Sequence, residues 1–294
     1  MKVNLHTHSI YSDGEETPEK VVELAAQAGV DLLVLTDHNT FRGYPRFKAA
    51  CDAHGINFIR GVEIDCVQPE IDFQMELLAY FPNGGHRCLA KVLQHKQKAR
   101  AQRVERAIVG AREHFGIPDL KIADLEEMAK VEKGFIGMLS NKLMYKYLQK
   151  RLGGTLASHG EVQREAYWKN LWRREELDNE YTLYELIPLI RKNGGFPVIP
   201  HFGFHFGAKP ELMRAKSDEY LEHLKYMKSL GLWGLELHPY RYYPQQGEIN
   251  EIVKSWAHKV GLHLTTGSDF HGGVVSTHRI FEWFGVDFQG FSND

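Results

Sequence analysis

Two histidines and an aspartate near the start of the chain have types and spacing that could bind a metal ion. His6 and His8 lie two positions apart, after residues 2–5, which predict a short β-strand. Side chains two apart on a strand point to the same face, so the two imidazoles would lie side by side. Asp13 follows on the predicted loop and could add a carboxylate. The pattern suggests half of a metal site, although such histidine pairs also occur by chance on protein surfaces.

Further histidine and acidic residues stand where later strands are predicted to end. They are His38, Glu63, His201, Asp269 and His271. In a (β/α) barrel the carboxyl ends of the strands converge on one face, where the active sites of such barrels lie. Chance is a poor account of so many ligand-type residues at strand ends. The sequence therefore predicts that they meet in one pocket with the first histidine pair.

The elements that must position these residues are seven predicted strands, most of them followed by a helix. The strands are predicted near residues 2–5, 31–36, 56–61, 75–80, 196–200, 232–237 and 262–266. This alternation is typical of α/β proteins that have a parallel sheet with helical crossovers. A closed or nearly closed (β/α) barrel explains the count best, and an open doubly wound sheet is the alternative. No G-x-G-x-x-G motif follows the first strand, so dinucleotide binding has no support.

The pattern changes between residues 85 and 193, where helical periodicity dominates and no strand is predicted. We therefore expect a barrel formed by residues 1–84 and 194–294, interrupted by a helical insertion of residues 85–193. The insertion is net basic, so the rest of the chain is acidic. In the simpler interpretation these charges only face solvent. In the alternative, the insertion is a basic cap over an acidic metal-binding mouth and binds phosphate.

Composition and charge are those of an ordinary soluble enzyme. The chain has 294 residues, of which 43% are hydrophobic and 25% are charged. A net charge of −2 gives no reason to expect a stable nucleic-acid complex. No run of 18 apolar residues and no signal peptide is apparent, so we expect no membrane association and a cytoplasmic location. Cys51, Cys66 and Cys88 lack C-x-x-C spacing and indicate thiols in a reducing compartment.

The predicted ligands are all nitrogen and oxygen donors, which suits Mn²⁺, Zn²⁺ or Fe²⁺ better than a structural zinc site. The set is too large for one ion, so two or three divalent ions with a bridging carboxylate are predicted. Ions about 3.5–4 Å apart polarise phosphoryl oxygens and deprotonate a bridging water. Phosphoester hydrolysis is the natural reaction class, with a small phosphorylated substrate and inorganic phosphate as a product.

Five segments resemble the motifs of the PHP (polymerase and histidinol phosphatase) family, in the order in which that family has them. They are His6-x-His8 with Ser12-Asp13-Gly14, Thr36-Asp37-His38-Asn39, Gly61-Val62-Glu63, the strand-end His201, and Gly267-Ser268-Asp269-Phe270-His271. The resemblance extends from end to end of the chain. It implies a distorted seven-stranded barrel with a trinuclear metal site, at which a bridging hydroxide attacks phosphorus in line.

The same resemblance implies roles for individual residues. Glu63, Asp269 and His271 would hold the bridging hydroxide. The ligands would divide among three ions: His6, His8, Glu63 and Asp269 for the first, Glu63 with His201 for the second, and Asp13, His38 and His271 for the third.

Two positions depart from the family pattern. The family usually has a histidine on the strand after its Gly-x-Glu motif, where this chain has Glu76. We expect Glu76 to bind metal and to alter the metal preference. The family's nucleotide-phosphatase branch, which has insertions of this size, usually shows Arg-Pro-His after Ile-Gly. This chain continues instead as Ile136-Gly137-Met138-Leu139, which weakens the transfer of that branch's substrates.

Candidate substrate-binding residues lie on the insertion and after two strands. Arg100 and Arg103 on the predicted long helix resemble the basic helix of the nucleotide-phosphatase branch and are candidate phosphate ligands, although a solvated helix face would explain them equally well. His205, His238 and Arg241 follow the fifth and sixth strands and could line the mouth of the barrel.

The sequence thus predicts a metal-dependent phosphoesterase that acts on a small phosphorylated metabolite or nucleotide. Arginines of the cap would neutralise charge in the transition state. One alternative is a phosphodiesterase or 5′–3′ exonuclease on short nucleic acid, whose activity would depend strongly on salt. Another is a non-catalytic metal-binding regulatory module. No oligomeric state is predicted.

Overall fold

The computed structural model of the protein describes residues 1–133, 141–153, 180–241, 243–272 and 286–292. The chain divides into two compact units, residues 1–90 with 181–294, and residues 91–180. None of the described helices combines the length and apolar character that a membrane span requires. The departure from the family pattern at Ile136-Gly137-Met138-Leu139 lies outside the described residues.

A sheet of seven strands, counted over the described residues, forms the first unit, with the strands side by side in sequence order. They are β1 (Val3–Asn4), β2 (Leu32–Leu35), β3 (Asn57–Gln68), β4 (Phe73–Phe81), β5 (Phe196–Ile199), β6 (Gly234–Leu237) and β7 (His263–Thr266). The two ends of the sheet also meet. The Leu5 amide donates to the Thr266 carbonyl at 3.1 Å, and Thr7 forms a parallel bridge with Phe270. The sheet is therefore a nearly closed barrel, which confirms the predicted fold over the open alternative.

Strand β4 departs from the expected parallel arrangement. It runs antiparallel to β3 and to β5, whereas the other neighbouring strands are parallel. Only residues 69–72 separate β3 from β4, and a parallel pair needs a crossover of a dozen or more residues. Strand β3 also continues to Gln68, so Glu63 lies midway along it and not at its end as expected. The antiparallel register sets Glu76 opposite Asp65, in the extended half of β3.

Helices provide the connections between the parallel strands. Within the described residues the α-helices are α1 (Pro18–Gln27), α2 (Tyr44–His54), α3 (Ala90–Phe115), α4 (Ile122–Lys133), α5 (Asn141–Arg151), α6 (Leu183–Lys192), α7 (Pro210–Ala215), α8 (Ser217–Leu230) and α9 (Gln246–Val260), and a 3-10 helix, Phe202–Phe206, follows β5. Helix α1 begins as predicted. The Thr17 hydroxyl accepts a hydrogen bond from the Lys20 amide at 3.2 Å, and Pro18 occupies the first turn.

Helices α3, α4 and α5 pack around a hydrophobic core of their own. Ile108, Leu125 and Leu148 are among its fully or almost fully buried members. A separate core explains why residues 91–180 form a compact unit. The functional partition expected from the sequence, a site-bearing barrel of residues 1–84 and 194–294 with a cap of residues 85–193, stays a prediction.

Apolar side chains fill the end of the barrel at which the parallel strands begin. Phe196 and Trp233 contact each other edge to face with ring centroids 5.5 Å apart, and Phe288 near the end of the chain is buried in the same cluster. Burying such side chains contributes about 1.5–3 kcal/mol each. This cluster fixes one end of the strands, and the polar residues described next lie toward the other end.

Candidate metal centre

The segment after β1 directs His6 and His8 to one side of the chain. Thr7, between them, is held on the other side. Its hydroxyl donates to the Val34 carbonyl at 2.8 Å, and its amide donates to the Thr36 hydroxyl at 3.2 Å. Both histidines are fully buried. The alternation of an extended chain therefore brings both imidazoles to the same face, as predicted.

Asp37 folds the loop after His8 back on itself. Its carboxylate accepts hydrogen bonds from the Ser9 amide at 2.7 Å, the Ser9 hydroxyl at 2.8 Å and the Ser12 hydroxyl at 2.7 Å. The folded loop returns Asp13 to the histidine pair, with its Oδ1 atom 3.7 Å from His8 Nδ1. A carboxylate five residues along the chain thereby reaches the site.

Four ligand-type atoms meet around the histidine pair, and we call His6, His8, Glu63 and Asp269 the first group. The two Nε2 atoms of the histidines are 3.0 Å apart. Glu63 Oε2 lies 3.1 Å from each of them. Asp269 Oδ1 lies 3.3 Å from His6 Nε2 and 3.2 Å from His8 Nε2. Two imidazole nitrogens and two carboxylate oxygens thus point at one small volume.

A second group consists of His8, Asp13, His38 and His271. Asp13 Oδ2 lies 3.1 Å from His271 Nε2 and 3.7 Å from His38 Nε2. The other nitrogen of His271, Nδ1, donates to the Asp269 carbonyl at 2.8 Å. That bond turns the Nε2 atom of His271 toward Asp13.

A third group consists of Glu63, Glu76 and His201. His201 Nε2 lies 3.1 Å from Glu63 Oε1 and 3.9 Å from Glu76 Oε2. The second oxygen of Glu63, Oε2, faces the first group and is also 3.3 Å from His38 Nε2. A single buried carboxylate therefore contacts members of all three groups.

Among the residues that follow strands, three at or next to ligand-type positions adopt left-handed backbone conformations that are uncommon outside glycine. The φ angles are +30° for His201, +51° for Asp269 and +54° for Asn39, which follows His38. Such conformations cost about 1–3 kcal/mol each and persist where the surrounding structure imposes them. They turn the chain sharply where β5, β7 and β2 end, and so direct ligand-type side chains inward.

Neighbouring carboxylates hold protons on the buried imidazoles. Burial alone would lower the pKa of His6, but the charges of Glu236, Glu63 and Asp269 raise it well above its usual value. Burial also opposes protonation of His271, yet its carboxylate neighbours raise its pKa to about 9. A metal ion that binds these nitrogens must therefore displace protons.

Two of the carboxylates respond in opposite ways to their surroundings. Burial would raise the pKa of Asp269, but His6 and His271 lower it well below its usual range. Glu76 differs, because burial dominates over the attraction of His201 and raises its pKa to about 7. Asp13, Glu63 and Asp269 have lowered pKa values, so Glu76 is the carboxylate of the three groups whose charged form a bound cation would stabilise most.

The donor set fits divalent metal ions. Imidazole nitrogens and carboxylate oxygens without thiolate suit Zn²⁺, Mn²⁺ or Fe²⁺. Within each group the donor atoms lie within 4.8 Å of one another. The facing Nε2 atoms of His6 and His8 repel each other when both carry protons, and a cation between them would replace that repulsion with two favourable contacts. Sharing of Glu63 is what a cluster of ions with a bridging carboxylate requires.

Two carboxylates behind the histidines were not among the predicted site residues. Glu236 on β6 is fully buried, and its two oxygens lie 3.0 and 3.1 Å from His6 Nδ1. Asp65 has a similar relation to His38, with Oδ1 3.3 Å from Nδ1. The signal for Glu236 is a lone acidic residue in an otherwise apolar buried strand, because a buried carboxylate needs a partner.

Two histidines predicted to line the mouth of the barrel, His205 and His238, contact different neighbours. His205 Nε2 is hydrogen-bonded to the Tyr220 hydroxyl, and its ring packs against Phe73 and Phe202. His238 is buried with its ring centroid 5.6 Å from that of His201, a member of the third group. His238 therefore lies beside a ligand-type residue.

The predicted substrate-binding arginines lie on helix α3 and after β6. Arg100 and Arg103 belong to α3, and the side chain of Arg103 is outside the described part of the chain. Arg241 follows β6 and is half-buried. Their contact with a substrate stays a prediction.

Sequence comparison identifies relatives that are named as phosphoester hydrolases. The chain is 24% identical over 278 residues to the phosphoribosyl 1,2-cyclic phosphate 1,2-diphosphodiesterase of Eggerthella lenta. This match covers 92% of this chain and 94% of the Eggerthella protein. It is 44% identical to the 3′,5′-nucleoside bisphosphate phosphatase of Chromobacterium violaceum over 62 residues, 21% of this chain and 22% of that protein.

Two solved structures share the fold, and most of the sequence matches a family model. One is a protein from Bifidobacterium adolescentis whose function as a metal-dependent phosphoesterase is itself inferred. It has a TM-score of 0.67 and 23% identity, and the match covers 92% of this chain and 87% of the Bifidobacterium chain. The other, an amidohydrolase from Chromobacterium violaceum with bound sulfate and no metal, has a TM-score of 0.70 and 21% identity, over 96% of this chain and 90% of that chain. Residues 4–237 match the PHP domain family, and the chain therefore belongs to that family.

Proposed function

We propose that this protein is a metal-dependent phosphoesterase that hydrolyses a small phosphorylated metabolite or nucleotide. The observation that carries the proposal is the convergence of three ligand-type groups on the shared carboxylate of Glu63. The relative of nearly equal length is named a cyclic phosphate diphosphodiesterase, and a second relative, similar over 62 residues, is named a nucleoside bisphosphate phosphatase. Both names support hydrolysis of a phosphoester bond.

The three groups would together hold two or three divalent ions, which would be Mn²⁺, Zn²⁺ or Fe²⁺. Bound ions supply Lewis-acid polarisation of phosphoryl oxygens and lower the pKa of water to near neutrality. The residues that would hold them are His6, His8, Asp13, His38, Glu63, Glu76, His201, Asp269 and His271.

Glu63, Asp269 and His271 are the residues that we propose to orient the attacking water. Glu63 contacts all three groups, and Asp269 contacts the first group with its side chain while its carbonyl accepts the Nδ1 proton of His271. The two carboxylates also hold the imidazoles in place, and Glu63 is almost fully buried whereas Asp269 is 18% exposed.

Substrate contacts are proposed for Arg100, Arg103, Arg241 and His205. Guanidinium groups bind phosphate oxygens in pairs, and would stabilise the charge that develops on the transferred phosphoryl group. The products would be inorganic phosphate and an alcohol from a monoester, or a monoester from a cyclic phosphate. We propose a cytoplasmic location for this reaction.

The test begins with the metal. Protein purified without chelator, then reconstituted with Mn²⁺, Zn²⁺ or Fe²⁺, is assayed against phosphomonoesters, cyclic phosphates and dinucleotides, with metal content measured by elemental analysis. Asp269→Ala and Glu63→Ala should each reduce hydrolysis to background. Asp218→Ala, at an exposed position on α8, is the matched control and should keep the wild-type rate.

The outcomes separate the alternatives. A wild-type protein that binds no metal refutes the proposal. Metal binding that raises thermal stability without turnover of any ester indicates a non-catalytic metal-binding module. Activity mainly on oligonucleotides, with a steep loss at higher salt, indicates an exonuclease on short nucleic acid.

A further inference from the structure

Glu236 lies in the interior of the barrel, behind the first group. It is a member of β6 and is fully buried, in a strand whose other residues are apolar or glycine. Space for its contact with His6 exists because residue 267 is a glycine. A Cβ atom on Gly267 would be 2.2 Å from the Cβ of His6 and 2.8 Å from Glu236 Oε1.

The Glu236 carboxylate faces two hydrogen-bond donors that belong to different groups. His6 Nδ1 lies 3.0 Å from Oε1 and 3.1 Å from Oε2. The backbone amide of His201 donates to Oε2 at 3.2 Å. One buried carboxylate therefore connects a ligand-type residue of the first group with one of the third group.

We propose that Glu236 is a positioning residue that keeps a proton on Nδ1 of His6 when a metal ion displaces the proton on Nε2, so that the Nε2 lone pair points into the first group. The same carboxylate fixes the backbone of His201, which has a φ of +30° and needs a partner to hold that conformation. This inference rests on the proposed function, because it assigns Glu236 to the same metal centre.

The need for a carboxylate follows from the number of acceptors. An ionised carboxylate accepts hydrogen bonds at both oxygens and donates none, whereas an amide has one accepting oxygen and an NH₂ group that only donates. In Glu236→Gln the NH₂ group must face either the His201 amide or His6 Nδ1. If it faces the His201 amide, two donors oppose each other. If it faces His6, Nδ1 becomes the acceptor and the proton moves to Nε2, where it blocks the lone pair.

Shape and charge make opposite predictions for two variants. Gln matches Glu in shape but supplies one acceptor, while Asp keeps both acceptors on a shorter side chain. A purely structural role in packing predicts that Glu236→Gln is the milder change. The positioning role predicts the order wild type, then Glu236→Asp, then Glu236→Gln in Zn²⁺ affinity. Loss of a carboxylate partner behind a ligating histidine typically lowers metal affinity by about 10–100-fold.

The experiment measures Zn²⁺ binding and the protonation state of His6 in the full chain. Zn²⁺ stoichiometry and affinity come from elemental analysis and competition with a chelator, and ¹⁵N NMR of histidine-labelled, Zn²⁺-loaded protein reports which ring nitrogen of His6 carries the proton. Thr265→Val, at the β7 position paired with Glu236, is the control for altered barrel packing and should bind Zn²⁺ as the wild type does. We expect Glu236→Gln to lose about one ion per chain or at least tenfold in affinity, and His6 to carry its proton on Nε2.

Wild-type Zn²⁺ binding in Glu236→Gln, or an affinity order with Gln above Asp, would overturn the inference while leaving the proposed function intact. Absence of metal from the wild type would instead refute the proposed function. If Glu236→Gln does not fold, as judged by circular dichroism, the spectrum of Glu236→Asp decides. A proton on Nδ1 of His6 supports the positioning role, and a proton on Nε2 refutes it.

Discussion

Replacing Glu76 with Gln should change the stability of the metal-free and metal-loaded protein in opposite directions. Burial raises the pKa of Glu76 from 4.5 to about 7, so the metal-free fold prefers the uncharged carboxyl. A group whose pKa is higher in the folded state destabilises the fold as pH rises, here between 4.5 and 7. At ~1.4 kcal/mol per pKa unit, the cost above pH 7 is about 3 kcal/mol. Gln resembles the protonated carboxyl and carries no charge, so it removes this cost.

The assay is urea denaturation followed by circular dichroism, at pH 5 and pH 8. In EDTA at pH 8 the free energy of unfolding of Glu76→Gln should exceed that of the wild type by about 3 kcal/mol, and at pH 5 by less than about 1 kcal/mol. With saturating metal the sign should reverse, because an amide oxygen is a weaker ligand than a carboxylate. Glu222→Gln, at a side chain 72% exposed, is the control and should change stability by less than about 0.5 kcal/mol under every condition.

Equal stability of Glu76→Gln and wild type in EDTA at pH 8 would refute the claim that burial makes this charge costly. A gain that persists unchanged in saturating metal would show that Glu76 does not contact a bound ion. The two failures are distinct, since the first concerns the electrostatics of the folded chain and the second concerns the third group.

Three further predictions concern the same centre. The pKa of His271 is about 9 in the folded state against a usual 6.5, so its protonation contributes stability that is complete below pH 6.5 and is lost as pH rises through 9. In EDTA the urea midpoint of the wild type should therefore fall between these pH values, and that fall should be absent from His271→Asn. A wild-type midpoint that stays constant would contradict the prediction. Gly267→Ala should displace His6, since the added Cβ would lie 2.2 Å from the His6 Cβ, and elemental analysis should show lost metal. Its control, Gly247→Ala on α9, meets nothing within 4 Å and should keep metal while gaining about 0.5–1 kcal/mol of stability. Glu76→His should shift preference toward Zn²⁺ over Mn²⁺ in competition experiments, because imidazole favours zinc, and an unchanged ratio would argue against ligation at this position.

The sequence was sufficient to predict the barrel and to bring the ligand-type residues together. Buried parallel strands are continuous apolar runs, as in Leu32–Leu35, so the polar residue that follows such a run marks its end. His38 and His201 were predicted to be ligand-type residues at strand ends in this way, and each belongs to one of the three groups. Because strand ends of a barrel converge, residues that are far apart in the chain could be assigned to one pocket.

Three features were not predicted. The direction of β4 and the full length of β3 depend on how the two strands pair, since β3 continues to Gln68 and leaves a connection too short for a parallel pair. Glu236 has its partners far away in the chain, with His6 at 230 positions and His201 at 35 positions. The residue pattern of one strand does not show which distant residue a side chain will contact, so the acidic residue on β6 could not be assigned to His6 from the sequence.

Closure of the barrel between Leu5 and Thr266 has a consequence for how the protein is made. Ribosomes add about 5–20 residues per second, so His6 and His8 are synthesised roughly 13–50 seconds before Asp269 and His271. During that interval the first and second groups lack members, and the histidine pair has no carboxylate from β7 to complete it. The nascent chain thus carries a partial ligand set, which becomes complete only when the final strand is in place.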